Sequence, residues 1–183
     1  MTEAQLIREA REGDGDAWEA LTRQHQEPVF RLAYLLLGDS DDAQDVAQEA
    51  FVRAYYQLSR FRDGLSLRPW LMRIATRLAH NRHRSARRHL QALGRLAQEP
   101  RDEPDETQPR SEADELWRAV RRLKPAFQEV IYMRYFLELR KDEAAAALDI
   151  PAGTVKSRLH RGLQELRKVI ASEHPDLMES FTR

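Results

Sequence analysis

The chain has no cysteine and only seven glycines in 183 residues. The first absence excludes disulfides, thiolate zinc sites and cysteine nucleophiles. Scarce glycine, with helical rather than alternating apolar spacing in almost every long segment, points to an all-α protein. Long hydrophobic runs are missing too. The longest, Leu32-Ala33-Tyr34-Leu35-Leu36-Leu37, is far too short to span a bilayer. The start, Met1-Thr2-Glu3-Ala4-Gln5, is polar and acidic, unlike a signal peptide, so a soluble cytoplasmic chain is expected. There is no Gly-rich phosphate loop, and paired carboxylates stand only in capping or linker contexts. No enzyme is expected, and no cofactor. His80, His83 and His89 lie among arginines, a poor place for a cation, so no metal is expected either.

Net charge is also absent, with 30 basic residues against 30 acidic ones, but the charges are segregated. Residues 1–50 carry twelve acids and four bases, while residues 51–95 carry eleven bases and one acid. Residues 96–116 are acidic again, and residues 117–171 hold twelve bases against six acids. Two separate basic blocks suit two separate contacts with a polyanion.

Turn and cap residues divide the first block into helices. Thr2 to Glu12 can form one, ended by Gly13-Asp14-Gly15. Asp16 can cap a second, which Pro28 should break or kink, because proline lacks the N–H donor. Gly38 is a natural stop, and Asp39 or Ser40 can cap a third helix carrying Val46, Ala50, Val52 and Leu58. Asp63-Gly64 marks a turn. Pro69 then opens a long basic helix through about Arg84. From Gln98 to Pro109, prolines alternate with acids, and such a stretch reads as an extended or disordered linker. Helices resume near Glu112, pause at Lys124-Pro125 and continue through Tyr135. The expected organisation is therefore two small helical domains, 1–96 and 112–172, joined by an acidic Pro-rich linker, 97–111, with a tail, 173–183.

The most informative run is Ile150-Pro151-Ala152-Gly153-Thr154-Val155-Lys156-Ser157-Arg158-Leu159-His160-Arg161-Gly162, just after Asp142-Glu143-Ala144-Ala145-Ala146-Ala147-Leu148. It reads as an Ala-rich helix, a tight turn and a second helix with a basic face: a helix-turn-helix, whose second helix enters the DNA major groove. Val155, Leu159, Leu163, Leu166 and Ile170 make its apolar stripe. Lys156, Ser157, Arg158, His160, Arg161 and Gln164 are left outward, and Arg and Lys reach phosphates and guanine edges. An apolar stripe with a basic outer face is by itself only a solvated helix. The helix and turn directly ahead of it favour DNA.

The other basic block, Arg68, Arg73, Arg77, Arg82, Arg84, Arg87 and Arg88, is interleaved with Phe61 and Trp70. Cations track a phosphate backbone, and aromatic rings offer platforms for unstacked bases. Trp70 at that place in an amphipathic helix is more often a core residue than a platform, and Phe61 is evenly balanced between the two.

Gly153-Thr154-Val155-Lys156-Ser157-Arg158-Leu159-His160-Arg161 closely resembles the region 4 signature of the extracytoplasmic-function (ECF) sigma factors of bacterial RNA polymerase. Leu123 to Ile131 looks like the start of that region. Asp42-Ala43-Gln44-Asp45-Val46-Ala47-Gln48-Glu49-Ala50-Phe51-Val52-Arg53-Ala54-Tyr55 resembles the core-binding helix of region 2. Pro69-Trp70-Leu71-Met72-Arg73-Ile74-Ala75 resembles its promoter-melting helix. Four motifs in the family's order cover nearly the whole chain. The resemblance implies a monomeric sigma subunit whose partners are core RNA polymerase, promoter DNA and an anti-sigma factor. It implies minus-thirty-five contacts from Thr154, Lys156, Ser157, Arg158, His160 and Arg161. It implies minus-ten contacts from Phe61, Trp70, Arg73, Arg77, Asn81, Arg84, Arg87 and Arg88, with a base-flipping loop around residues 85–89. Polymerase contacts fall on Asp42, Asp45, Gln48 and Glu49, and the linker would thread toward the active-centre cleft. The sequence departs from the family pattern at Arg77, where Asn is frequent, and at Asp149, where the turn commonly has Gly. Asp tolerates left-handed backbone, so the turn can survive.

The competing reading is an ordinary helix-turn-helix regulator with an N-terminal dimerisation or sensing domain, which needs no second basic helix with aromatics. A helical adaptor that binds only proteins fits less well, because Lys is depleted from protein interface cores.

Overall fold

Caps and glycines set the helix limits. The computed structural model describes residues 1–62, 64–92 and 112–173. The acidic linker and the tail after residue 173 lie outside these residues. Among the described residues there are eight α-helices and no strand. They form two compact units, one built on α1–α4 and the other on α5, α6 and α8.

α1 (Glu3–Arg11) starts at a capping box, in which the Thr2 side chain and Gln5 satisfy each other's backbone N–H groups. α2 (Gly15–Leu37) is capped by Asp14, not Asp16: Asp14 Oδ1 accepts from the Asp16 and Ala17 N–H groups. α2 also runs unbroken through Pro28, so the proline does not break the helix. Proline removes one backbone donor, and the fully buried Leu21, Val29, Leu32 and Ala33 along the same helix outweigh that loss. Gly38 ends α2 in the left-handed region at φ 81, its N–H bonded to the Tyr34 carbonyl. α3 (Ser40–Gln57) is capped by Asp39, whose Oδ1 accepts from Asp42 N–H at 2.7 Å. A 3₁₀ turn, Leu58–Arg60, follows.

α4 (Leu67–Ala92) begins two residues before Pro69 and continues beyond Arg84. Its first N–H, on Leu67, donates to Glu3 Oε1 at 2.9 Å, so α1 supplies the carboxylate at the positive end of α4. Residues 85–89, where the resemblance implies a loop, belong to this helix. Arg and Ala are strong helix formers, and no Gly or Pro interrupts the run. At about 1.5 Å per residue, α4 is about 39 Å long. The core of this unit gathers Ile7, Leu21, Leu32, Val46, Ala50, Leu58, Leu67, Leu71 and Met72 from all four helices and the 3₁₀ turn.

In the second unit, α5 (Glu112–Arg121) leads to α6 (Pro125–Ile131), with Pro125 at the first helical position as expected after Lys124. A π-helical turn, Tyr132–Phe136, ends it, with the Leu137 N–H reaching back to the Tyr132 carbonyl. α7 (Lys141–Leu148) lies between two residues in left-handed conformation, Glu138 (φ 54) and Asp149 (φ 58). α8 (Ala152–Glu173) then packs on α6 and α5. Val155, Leu166 and Ile170 of its apolar stripe are buried, and Leu159 and Leu163 half-buried.

Candidate nucleic-acid interface

The helix-turn-helix is α7, the turn at Asp149 and α8. Ala144 and Ala147 of α7 are buried, where a larger side chain would hold the helices apart. Asp149 takes the left-handed conformation the turn requires, as its short polar side chain allows. On α8, Lys156, His160 and Arg161 are exposed, while Thr154, Ser157 and Arg158 are half-buried. Ser157 Oγ donates to the Thr154 carbonyl at 3.1 Å, so its proton is used within the helix and its oxygen is left as an acceptor. Gln164 and Arg167 extend the exposed side.

On α4, Arg73, Arg77, Arg84 and Arg88 recur at whole-turn spacing. Arg77, Asn81, Arg84 and Arg88 are exposed, and Arg73 is half-buried. The Arg87 side chain lies outside the described residues. Trp70 is half-buried near the start of the same helix, its ring 5.0 Å from that of Phe61. Phe61 itself is 6 % exposed and belongs to the core. Its burial leaves it no face for a base.

The acidic face of α3 is less bare than its sequence. Asp45, Gln48 and Glu49 are exposed and Asp42 is half-buried. Asp42 and Asp45 both accept hydrogen bonds from Arg82 of α4, and Glu49 pairs with Arg53 one turn on. The charge of Arg82 is held more firmly than usual, first through its hydrogen bond and charge contact with Asp42 and then through Asp45. Two exposed apolar residues continue this face, Val52 and Tyr56, the latter 79 % exposed. The sequence places Val52 on this helix with Val46 and Ala50, but only those two are buried. Its position on α3 is one turn past Gln48 and Glu49, and a helical wheel would have placed it outside.

Two helical units, each with basic side chains gathered on one side, suit a protein that makes two separate contacts with nucleic acid. The description "Sigma-70 region 2" matches residues 21–89 and "Sigma-70, region 4" matches residues 113–166. The ECF RNA polymerase sigma factor SigW of Bacillus subtilis is 32% identical over 174 residues, covering 88% of this chain and 93% of SigW. The ECF sigma factor SigE of Mycolicibacterium smegmatis is 34% identical over 90% of this chain, which spans 65% of the length of that relative. Among solved structures, the sigma factor RpoE of Bartonella quintana, in complex with the anti-sigma factor NepR, superposes with a TM-score of 0.72 at 20% identity, over 85% of this chain and 98% of that one. CnrH, in complex with the cytosolic domain of CnrY, gives 0.71 at 22% identity, over 93% and 98%. The chain belongs to the ECF RNA polymerase sigma factors, proteins that direct promoter-specific transcription initiation. That disposes of the simple-regulator and adaptor readings. No helix among the described residues is long and apolar enough to cross a membrane.

Proposed function

We propose that the chain binds core RNA polymerase through α3, reads the upstream promoter element with the start of α8, and captures the melted minus-ten strand along α4. The observation that carries this reading is the placement of exposed cations on one side of α4 and on the outer side of α8. Duplex contact by α8 would come from Lys156, Arg158, His160 and Arg161, with Thr154 and Ser157 near the helix start. Single-strand contact by α4 would come from Arg73, Arg77, Asn81, Arg84 and Arg88, with Trp70 as a half-buried aromatic at the start of the helix. Phe61 is left out because it is buried. Capture of unstacked bases lowers the energy of the opened state, which is how a binding protein promotes melting without catalysing a reaction. The chain would act in the cytoplasm as a monomer, with no cofactor, and an anti-sigma factor is a natural partner given the complexes formed by RpoE and CnrH.

Run-off transcription from a promoter pool with purified core enzyme tests the whole reading: promoter-selective transcripts should depend on the added chain. For the polymerase face, Asp45→Arg combined with Glu49→Arg should abolish co-elution with core enzyme and leave the circular dichroism spectrum intact. Normal co-elution would place the polymerase surface elsewhere.

A further inference from the structure

The arginines of α4 serve two different sides. Arg73, Arg77, Arg84 and Arg88 share one. Arg82 is half a turn out of phase with them, in line with the buried Leu71, Ala75 and Leu78. It meets α3 there. Its Nε donates to Asp42 Oδ1 at 3.0 Å, and its Nη2 donates to the same oxygen and to Asp45 Oδ2, the latter at 3.3 Å. In the next position, His83 Nε2 lies 2.9 Å from the Leu36 carbonyl at the end of α2. Consecutive residues of α4 thus hold both sides of the α2–α3 corner at Gly38.

Resting on the reading of α3 as the polymerase face, we propose that Arg82 is a positioning residue of that face and not a DNA contact. The guanidinium takes Asp42 Oδ1 and Asp45 Oδ2 and leaves Asp42 Oδ2 and Asp45 Oδ1 for a cationic partner. Carboxylates fixed before association lose less freedom when the partner arrives. Three charged groups joined in one network hold their geometry better than an isolated exposed pair, which contributes little. The planar fork of arginine can bridge two carboxylates, whereas an ammonium offers charge without that geometry. Arg82 also dilutes the negative potential of the face. If dilution were its main effect, removing it would tighten polymerase binding.

The test uses the full chain with Arg82→Gln, Arg82→Lys, Asp45→Asn and the Arg82→Gln/Asp45→Asn pair, with Arg84→Gln as the counterpart on the other side of α4. Affinity is measured for purified core RNA polymerase and for fluorescein-labelled oligo(dT) over a salt series. Circular dichroism melts fix a temperature at which every variant is folded. Arg82→Gln and Arg82→Lys should both weaken polymerase binding, about threefold to tenfold. Their oligo(dT) affinity and salt slope should match the wild type. Arg84→Gln should do the reverse, flattening the oligo(dT) salt slope by about 0.7 and sparing the polymerase. In the Asp45→Asn background, Arg82→Gln should cost less than it does alone. Unchanged or tighter polymerase binding by Arg82→Gln overturns the proposal, as does full rescue by Lys or a flattened oligo(dT) slope in Arg82→Gln. A polymerase affinity untouched by Asp45→Arg with Glu49→Arg would remove the reading of α3 and Arg82 with it. Loss of binding in that pair with none in Arg82→Gln removes only the proposal for Arg82.

Discussion

Gly162 of α8 faces Phe127 of α6 so closely that a β-carbon there would stand 3.1 Å from Phe127 Cβ and 3.4 Å from Ile131 Cδ1. The crossing of α6 and α8 is therefore set by the absence of a side chain. Phe127 Cβ is bonded directly to its backbone and cannot swing aside. Gly162→Ala should destabilise the C-terminal domain by about 1 kcal/mol, because overpacking outweighs the gain in helix propensity. Thermal denaturation of the chain checks this. An unchanged or raised transition would show that α6 yields.

Glu138 and Asp149 hold left-handed backbone on either side of α7. A left-handed residue with a side chain costs about 1–2 kcal/mol, less for Asp than for Glu. Glu138→Gly should stabilise the C-terminal domain by up to about 1 kcal/mol after the entropy cost of glycine is subtracted. Asp149→Gly should gain less. Calorimetry of both variants gives the ordering, and a larger gain at Asp149 would contradict it.

His25 of α2 is buried, with its Nε2 3.6 Å from Glu3 Oε2 on α1. Burial pulls its pKa below the ordinary 6.5, the nearby Arg68 charge adds to that, and Glu3 opposes it. The unfolded chain thus binds the proton more readily than the folded one. Stability from the neutral imidazole is fully present above about pH 6.5 and declines as the pH falls below it. The N-terminal domain of the wild type should melt progressively lower from pH 7 to pH 5. His25→Gln should flatten part of that slope, and an identical slope in the variant would exclude His25 as its source.

Lys156→Ala and Arg158→Ala should weaken binding to duplex promoter DNA with the upstream element. Each should reduce the slope of log affinity against log salt by about one unit, the signature of one lost phosphate contact. Fluorescence anisotropy over a salt series reads both quantities. Unaltered affinity and slope in both variants would remove α8 from the DNA-contacting role.

Periodicity and caps made most of the helices legible in the sequence. Gly38, Asp39 and Pro125 sit where local chemistry places them, and Ala144, Ala147 and Val155 are buried as the helix-turn-helix pattern implies. What the sequence did not disclose depends on neighbours distant along the chain. Pro28 passes inside α2 because tertiary burial outweighs one missing donor. The start of α4 at Leu67 depends on a carboxylate from Glu3. Arg82 looked like one more cation in a basic block, and only the α3–α4 packing turns it toward Asp42 and Asp45. Phe61, balanced between base platform and core in the sequence, is core: Trp70 packs against its ring and Arg11 donates to its backbone carbonyl.

α1 lies ahead of the region 2 homology, yet it closes the domain. Glu3 receives the first N–H of α4, and Arg11 donates to the carbonyls of Leu58 and Phe61, at the start of the 3₁₀ turn and just past its end. A fragment trimmed to the homologous segment would take one partner from each of three backbone groups, the Leu67 N–H and the carbonyls of Leu58 and Phe61. All three flank the entry to the helix that carries the arginine stripe. The opening residues thus work as a clasp on that entry. Their removal should register first as fraying where Trp70 sits, well before the distant Arg84 and Arg88 are disturbed.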